Sequence, residues 1–135
     1  MCGICGLCYD QSDAAVDPAL LGRINDAMTH RGPDGAGTFI RGPIGLGHRR
    51  LSIIDLQGGG QPLFNEDGSI AVVFNGEIYN YKELCAELAV AGHVFRTHSD
   101  TEVIVHAYEQ YGPACLERFV GMFAFALWDG RDGSI

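Results

Sequence analysis

Apolar positions follow two rhythms along this chain, and the switches between them outline its elements. Cys2 to Tyr9 is a short apolar stretch with glycines, which predicts a buried strand starting at the terminus. Pro18 opens a segment in which Leu20, Leu21, Ile24, Ala27 and Met28 follow helical spacing. Arg31–Gly35 is a turn cluster. Gly37 to Arg41 and Ile44 to Ile54 then read as strands, and Asp55 to Pro62 as a glycine-rich loop. Ile70 to Phe74 is a β-branched run ending in Asn75-Gly76. Asn80 with Glu83 has capping-box spacing, ahead of a helix on Leu84, Leu88 and Ala91 that Gly92 stops. Ser99 with Glu102 repeats that signal before Val103, Ile104, Ala107 and Tyr108. Gly121 to Trp128 reads as a last strand, and Asp129–Gly133 as a hairpin turn. Antiparallel-looking strand runs with helices grouped between them predict an α+β layered architecture rather than a doubly wound parallel sheet.

Composition narrows the picture. The 135 residues fit one domain, with no internal repeat or linker. Nineteen glycines are about twice the usual share of ~7%, without a collagen period, and predict tight turns and close backbone approaches. Nine basic against seventeen acidic side chains leave a net charge of −8 and no basic stripe, which argues against nucleic acid as a partner. The longest apolar stretch, Phe119 to Trp128, is too short to span a bilayer, so no membrane partner is expected. The amino terminus lacks the basic and apolar regions of a signal peptide. With five cysteines and no export signal, reduced thiols in the cytoplasm are expected.

Cys2 is the leading candidate for chemistry. A small residue after Met1 permits removal of the initiator, which would leave Cys2 with a free α-amino group. That amine, of reference pKa about 7.7–8.0, can serve as base for the thiol on the same residue, directly or through a water. Activity carried this way should rise between about pH 6 and 8. The competing reading is an incidental thiol at a frayed terminus. Cysteines at 2, 5 and 8 begin an iron–sulfur spacing, but Ser12 stands where the fourth is needed. Side-chain alternation along a strand would also turn Cys5 away from Cys2 and Cys8. No metal is therefore expected, and Cys5, Cys8, Cys85 and Cys115 read as small core residues. A P-loop and an H-E-x-x-H pair are both absent, and most of the five histidines read as surface residues.

Seven motifs in order carry a family resemblance over essentially the whole chain. They are Met-Cys-Gly-Ile at the start, Arg31–Gly35, His48–Asp55 with Gln61-Pro62, Phe74–Asn80, Ser99–Glu102 and Gly121–Asp129. Together they resemble the glutaminase domain of glutamine-hydrolysing asparagine synthetases, a class II glutamine amidotransferase. The resemblance implies an Ntn-hydrolase fold, a four-layer αββα sandwich of two antiparallel sheets. It implies hydrolysis of L-glutamine to glutamate and ammonia, with Cys2 as nucleophile and a γ-glutamyl thioester as intermediate. Asn75 and Gly76 match the family's oxyanion hole, although Asn-Gly after a strand is also a strong hairpin signal. Arg50 matches the arginine that binds the substrate carboxylate, beside Arg49 as a structural or surface residue. Asp100, assisted by Glu77, matches the partner of the α-ammonium, although it could merely cap a helix. Backbone groups around Leu51 and Ile53 are expected to help hold glutamine, and Arg31 and Asp34 to brace the site.

The chain stops at Ser134-Ile135, where family members continue with a returning strand, and it has no Ser-Gly-Gly-x-Asp-Ser loop for ATP. The expectation is a C-terminally truncated glutaminase domain over residues 1–135, incomplete in its last sheet, with the synthetase domain absent. Ammonia would serve ATP-dependent asparagine synthesis from aspartate. No cofactor is expected for the glutaminase half; ATP and Mg would belong to the missing half. The expected partners are L-glutamine and a synthetase domain, and a homodimer is compatible with the sequence. The alternatives are an amidotransferase with another acceptor, a non-catalytic interaction or regulatory domain, and a cysteine-based metal or redox module.

Overall fold

Central strand β3 (Ile44–Arg50) shows how the glycine-rich sequence is used. It pairs antiparallel with β1 (Gly3–Cys8) on one side and β2 (Gly35–Arg41) on the other. Its alternate residues Gly45 and Gly47 lie against α1 (Pro18–Ala27): an added Cβ at Gly45 would sit 2.8 Å from Val16, and one at Gly47 2.6 Å from the Cys5 sulfur. The helix thus rests directly on backbone. The opposite face of β3 carries Ile44, Leu46 and His48, all buried. The computed structural model describes residues 2–10, 13–52 and 59–135.

A second antiparallel sheet has the order β4 (Leu63–Phe64), β5 (Ile70–Ile78), β6 (Gly121–Asp129). Ala71 and Val73 of β5 and Trp128 of β6 pack against Ile44 and Leu46, so the two sheets meet face to face. From its other face β5 points Ile70, Val72, Phe74 and Ile78 into a larger core shared with α2 (Tyr81–Val90) and α3 (Asp100–Tyr111). A 3-10 segment, Gly112–Arg118, leads from α3 into β6. The layers run helix, sheet, sheet, helices, which is the α+β sandwich that the resemblance implies. Among the described residues no helix is long and apolar enough to cross a membrane.

Several local expectations need correction. The strand expected to end at Asn75-Gly76 runs on through both residues to Ile78, pairing them with Ala124 and Phe123, so the competing hairpin reading does not hold. Nine residues of ladder with β6 outweigh a local turn preference. Asn80 stands at the start of α2 but does not cap it. Its side chain bridges Arg118 O and Val120 N, each at 2.9 Å, because those groups come within reach only in the fold. Ser99 does cap α3 through Thr101 N–H at 3.2 Å. Glu102, however, reaches past it to the amides of Arg96 and Thr97. His48 and His106 are fully buried rather than superficial, and Cys8 is exposed rather than in the core. Residues 53–58, which hold the end of the expected third strand and the first half of the glycine-rich loop, lie outside the described residues.

Candidate functional site

Between the two sheets, at the end where β1 begins and β3 and β5 finish, lies a cavity of about 270 Å³. Cys2, Arg50, Leu51, Asn75, Gly76, Glu77 and Asp100 all line it. The strand period explains this convergence. Cys2 shares a face with Ile4, which packs between the sheets, while Cys5 lies on the α1 face. Arg50 shares a face with Leu46 and His48. Arg49, one residue out of step, turns to α1, where it bonds Asn25 O and pairs with Asp26. Asn75 continues the inward row of Ala71 and Val73. Ile53 lies outside the described residues.

The Cys2 sulfur accepts the Leu51 N–H at 3.3 Å and lies 3.7 Å from the Leu51 carbonyl oxygen. The Arg31–Asp34 turn holds both partners of this contact. Arg31 Nε donates to the Cys2 carbonyl at 3.0 Å. Asp34 accepts the Ser52 N–H at 2.8 Å, and its own N–H donates to Arg50 O at 2.9 Å. Gly32 is required for this approach, since a Cβ there would overlap the Arg49 carbonyl and lie 2.6 Å from Arg50 N.

The short strand β4 leaves one edge of β5 open beside the cavity. Along that edge the Phe74 N–H donates to Gln61 Oε1 at 2.6 Å and the Ile78 N–H to Asp100 Oδ2 at 3.0 Å. The Gly76 N–H lies between them and has the same parity, so it points toward the cavity. A Cβ on Gly76 would overlap the Met122 carbonyl oxygen and stand 2.5 Å from Phe123 Cα, so the β5–β6 ladder admits only glycine here.

Charge is arranged to match. Asp100 is buried, and burial raises its carboxyl above the ordinary range, with exposed Glu77 adding to the rise and the Ile78 N–H opposing it. A buried carboxylate beside a second one is poised to receive a cation. Arg50 supplies positive charge to the same cavity. His48, between the sheets, is held neutral: burial lowers its pKa to about 4, against a smaller opposing contact with the Phe74 backbone, and Arg50 lowers it further.

The sequence offered no cavity role for Gln61, Thr101 or Met122, and for Ser99 only a helix cap, yet all four line the cavity. Gln61 ties β5 to α3, since its Nε2 donates to Thr101 Oγ1 at 3.3 Å while its Oε1 holds Phe74 N–H. The Gln61-Pro62 motif marked the position, but no local pattern reports contacts made across the fold.

Comparison with known proteins gives a consistent result. A family model described as a glutamine amidotransferase domain matches residues 1–135. Asparagine synthetase [glutamine-hydrolyzing] 1 of Bacillus subtilis (strain 168) is 44% identical over 134 residues, covering 98% of this chain and 21% of the relative. Asparagine synthetase [glutamine-hydrolyzing] 2 of the same organism is 48% identical over 138 residues, covering 100% and 18%. Asparagine synthetase [glutamine-hydrolyzing] 1 of Arabidopsis thaliana is 46% identical over 136 residues, covering 99% and 23%. The chain thus spans about a fifth of the length of these relatives. Among solved structures, the glutamine phosphoribosylpyrophosphate amidotransferase of B. subtilis superposes with a TM-score of 0.74 over 94% of this chain and 35% of its own, at 23% identity. That likeness establishes the shared Ntn-hydrolase fold.

Proposed function

Because the chain belongs to the glutamine amidotransferase domain family, we propose that its cavity hydrolyses the side-chain amide of L-glutamine, with Cys2 as nucleophile. The observation that carries this reading is the convergence of the Cys2 sulfur, the Gly76 N–H edge, Arg50 and Asp100 on one cavity. With Met1 removed, the α-amine of Cys2 takes the thiol proton, and the Leu51 N–H at 3.3 Å supports the resulting thiolate. The thiolate attacks the amide carbon. Negative charge develops on the amide oxygen, and the Asn75 side-chain NH2 and Gly76 N–H are the donors for it, each worth about 3 kcal/mol in a preorganised site. The C–N bond breaks as the nitrogen takes a proton and leaves as ammonia. Water then cleaves the γ-glutamyl thioester, releasing glutamate and restoring the thiol.

The two ends of free glutamine select its pose. Arg50 faces the α-carboxylate, and Asp100 with Glu77 the α-ammonium, while Leu51 and Ile53 supply backbone groups. The ammonia is donated to a synthetase domain that uses ATP and Mg to make asparagine from aspartate. This acceptor is favoured by the names of the relatives at 44–48% identity. Intact mass after expression, then incubation with diazo-oxo-norleucine, tests the reading. Loss of Met1 and a label on Cys2 that is absent in Cys2→Ala support it; retained Met1, or no label on folded protein, overturns it.

A further inference from the structure

Away from the cavity, three segments bring imidazole and carboxylate groups together. His106 and Glu109 lie three residues apart on one face of α3, and His93 stands in the loop before that helix. Glu109 Oε2 is 3.3 Å from His106 Nδ1 and 3.6 Å from His93 Nδ1. One ligand atom from each of the three residues falls within 4.8 Å of the others. Glu66, in the turn between β4 and β5, places an oxygen 3.9 Å from the same His106 Nδ1.

We propose that His93, His106 and Glu109, with Glu66 closing the fourth position, form a zinc-binding site that fastens α3 to the loop before it and to the β4–β5 turn. Donors bound to one tetrahedral zinc at about 2.0–2.1 Å stand about 3.3 Å apart; Glu109 already stands 3.3 and 3.6 Å from the two imidazoles, while the cluster as a whole spans up to 4.8 Å and must close around the ion. The outer contacts accommodate the required tautomers. His93 Nε2 lies 3.1 Å from Gln110 Oε1, and as the donor there it leaves Nδ1 with a lone pair toward Glu109. His106 Nε2 has no hydrogen-bond partner and lies 3.6 Å from the Glu102 carboxylate, which can take up the proton that Nδ1 gives to Glu109 at 3.3 Å in the absence of an ion. The second Glu109 oxygen is already held by Asn65 Nδ2 at 2.8 Å. With those tautomers, acceptors face one another across the cluster, and a divalent cation satisfies them while balancing two carboxylate charges. The partly exposed Glu66 and Glu109 give the ion a path from solvent.

The test uses the 135-residue chain, freed of metal with chelator and titrated with Co²⁺, which is then displaced by Zn²⁺. The expected result is saturable tetrahedral cobalt absorption at a single equivalent, without sulfur-to-cobalt charge-transfer bands, and a zinc-dependent rise in Tm. Gln110→Ala should weaken zinc affinity by about 10–100-fold, and His93→Ala and Glu109→Gln by more. Circular dichroism verifies that each variant is folded, and the loop variant His93→Ala keeps the test decisive if the helix variant does not fold. No saturable binding to folded protein, charge-transfer bands showing cysteine ligands, or unchanged affinity in folded His93→Ala would each overturn the site.

Discussion

The carboxylate of Asp100 accepts the Ile78 N–H at 3.0 Å, so the first residue of α3 is fixed to the last residue of β5. The contact orients the carboxylate at the wall of the cavity that Asp100 lines. Asp100→Asn keeps an acceptor for Ile78 but removes the charge. Steady-state kinetics should then show a KM for glutamine raised about ten- to hundredfold, as for loss of a charged hydrogen bond, with Tm unchanged or higher. Because burial raises the Asp100 pKa, the folded state binds this proton more tightly than the unfolded chain. The bare carboxylate therefore lowers stability above the unfolded pKa, and Asp100→Asn relieves that cost. Glutamine affinity should fall on the acid side as Asp100 takes its proton, with a midpoint above the ordinary ~3.9.

Gly76→Ala drives a methyl group into the Met122 carbonyl and Phe123 backbone of the neighbouring strand. The expected cost is about 1–3 kcal/mol in urea unfolding, together with loss of glutaminase activity. An unchanged urea midpoint would contradict the close β5–β6 approach.

His48 predicts an acid-side loss of stability. Its folded pKa of about 4 lies below the unfolded value near 6.5, so the unfolded chain binds the proton first. Stability is full above about pH 6.5, falls as the pH drops, and levels below about pH 4, with a total change of about 3 kcal/mol from this group. Urea midpoints measured across that window should show the slope, and His48→Gln should flatten it.

Gln61 holds the Phe74 N–H on the open edge of β5. Gln61→Ala leaves that donor without its partner and should cost about 1–3 kcal/mol in thermal or urea unfolding. Gln61→Glu retains an acceptor for Phe74 but adds a carboxylate to the cavity that Asp100 and Glu77 line, so its cost should be smaller at acid pH and grow as the pH rises.

Element types were largely legible in the sequence, because each follows from a period within a few residues. Helix α1 starts at Pro18 behind an Asp17 side chain that accepts the Ala19 N–H, as its apolar spacing and proline predict. The two-residue strand β4 and the segment Gly112–Arg118 carried no such period and were missed. Asn75-Gly76 shows the limit: its dipeptide chemistry permits a turn, and only the ladder with β6 makes it strand.

The sequence by itself determined the alternation that separates Arg50 from Arg49 and Cys2 from Cys5, since a strand's side-chain period is local and geometric. It also carried, through its ordered motifs, the family to which the chain belongs. Only the tertiary structure decided that Gln61 reaches both Phe74 and Thr101, that Asn80 ties the start of α2 to the segment leading into β6 rather than capping the helix, and that His93, His106 and Glu109 meet with Glu66 beside His106. Those contacts join residues brought together by sheet register and layer packing, which no pattern within a short window encodes.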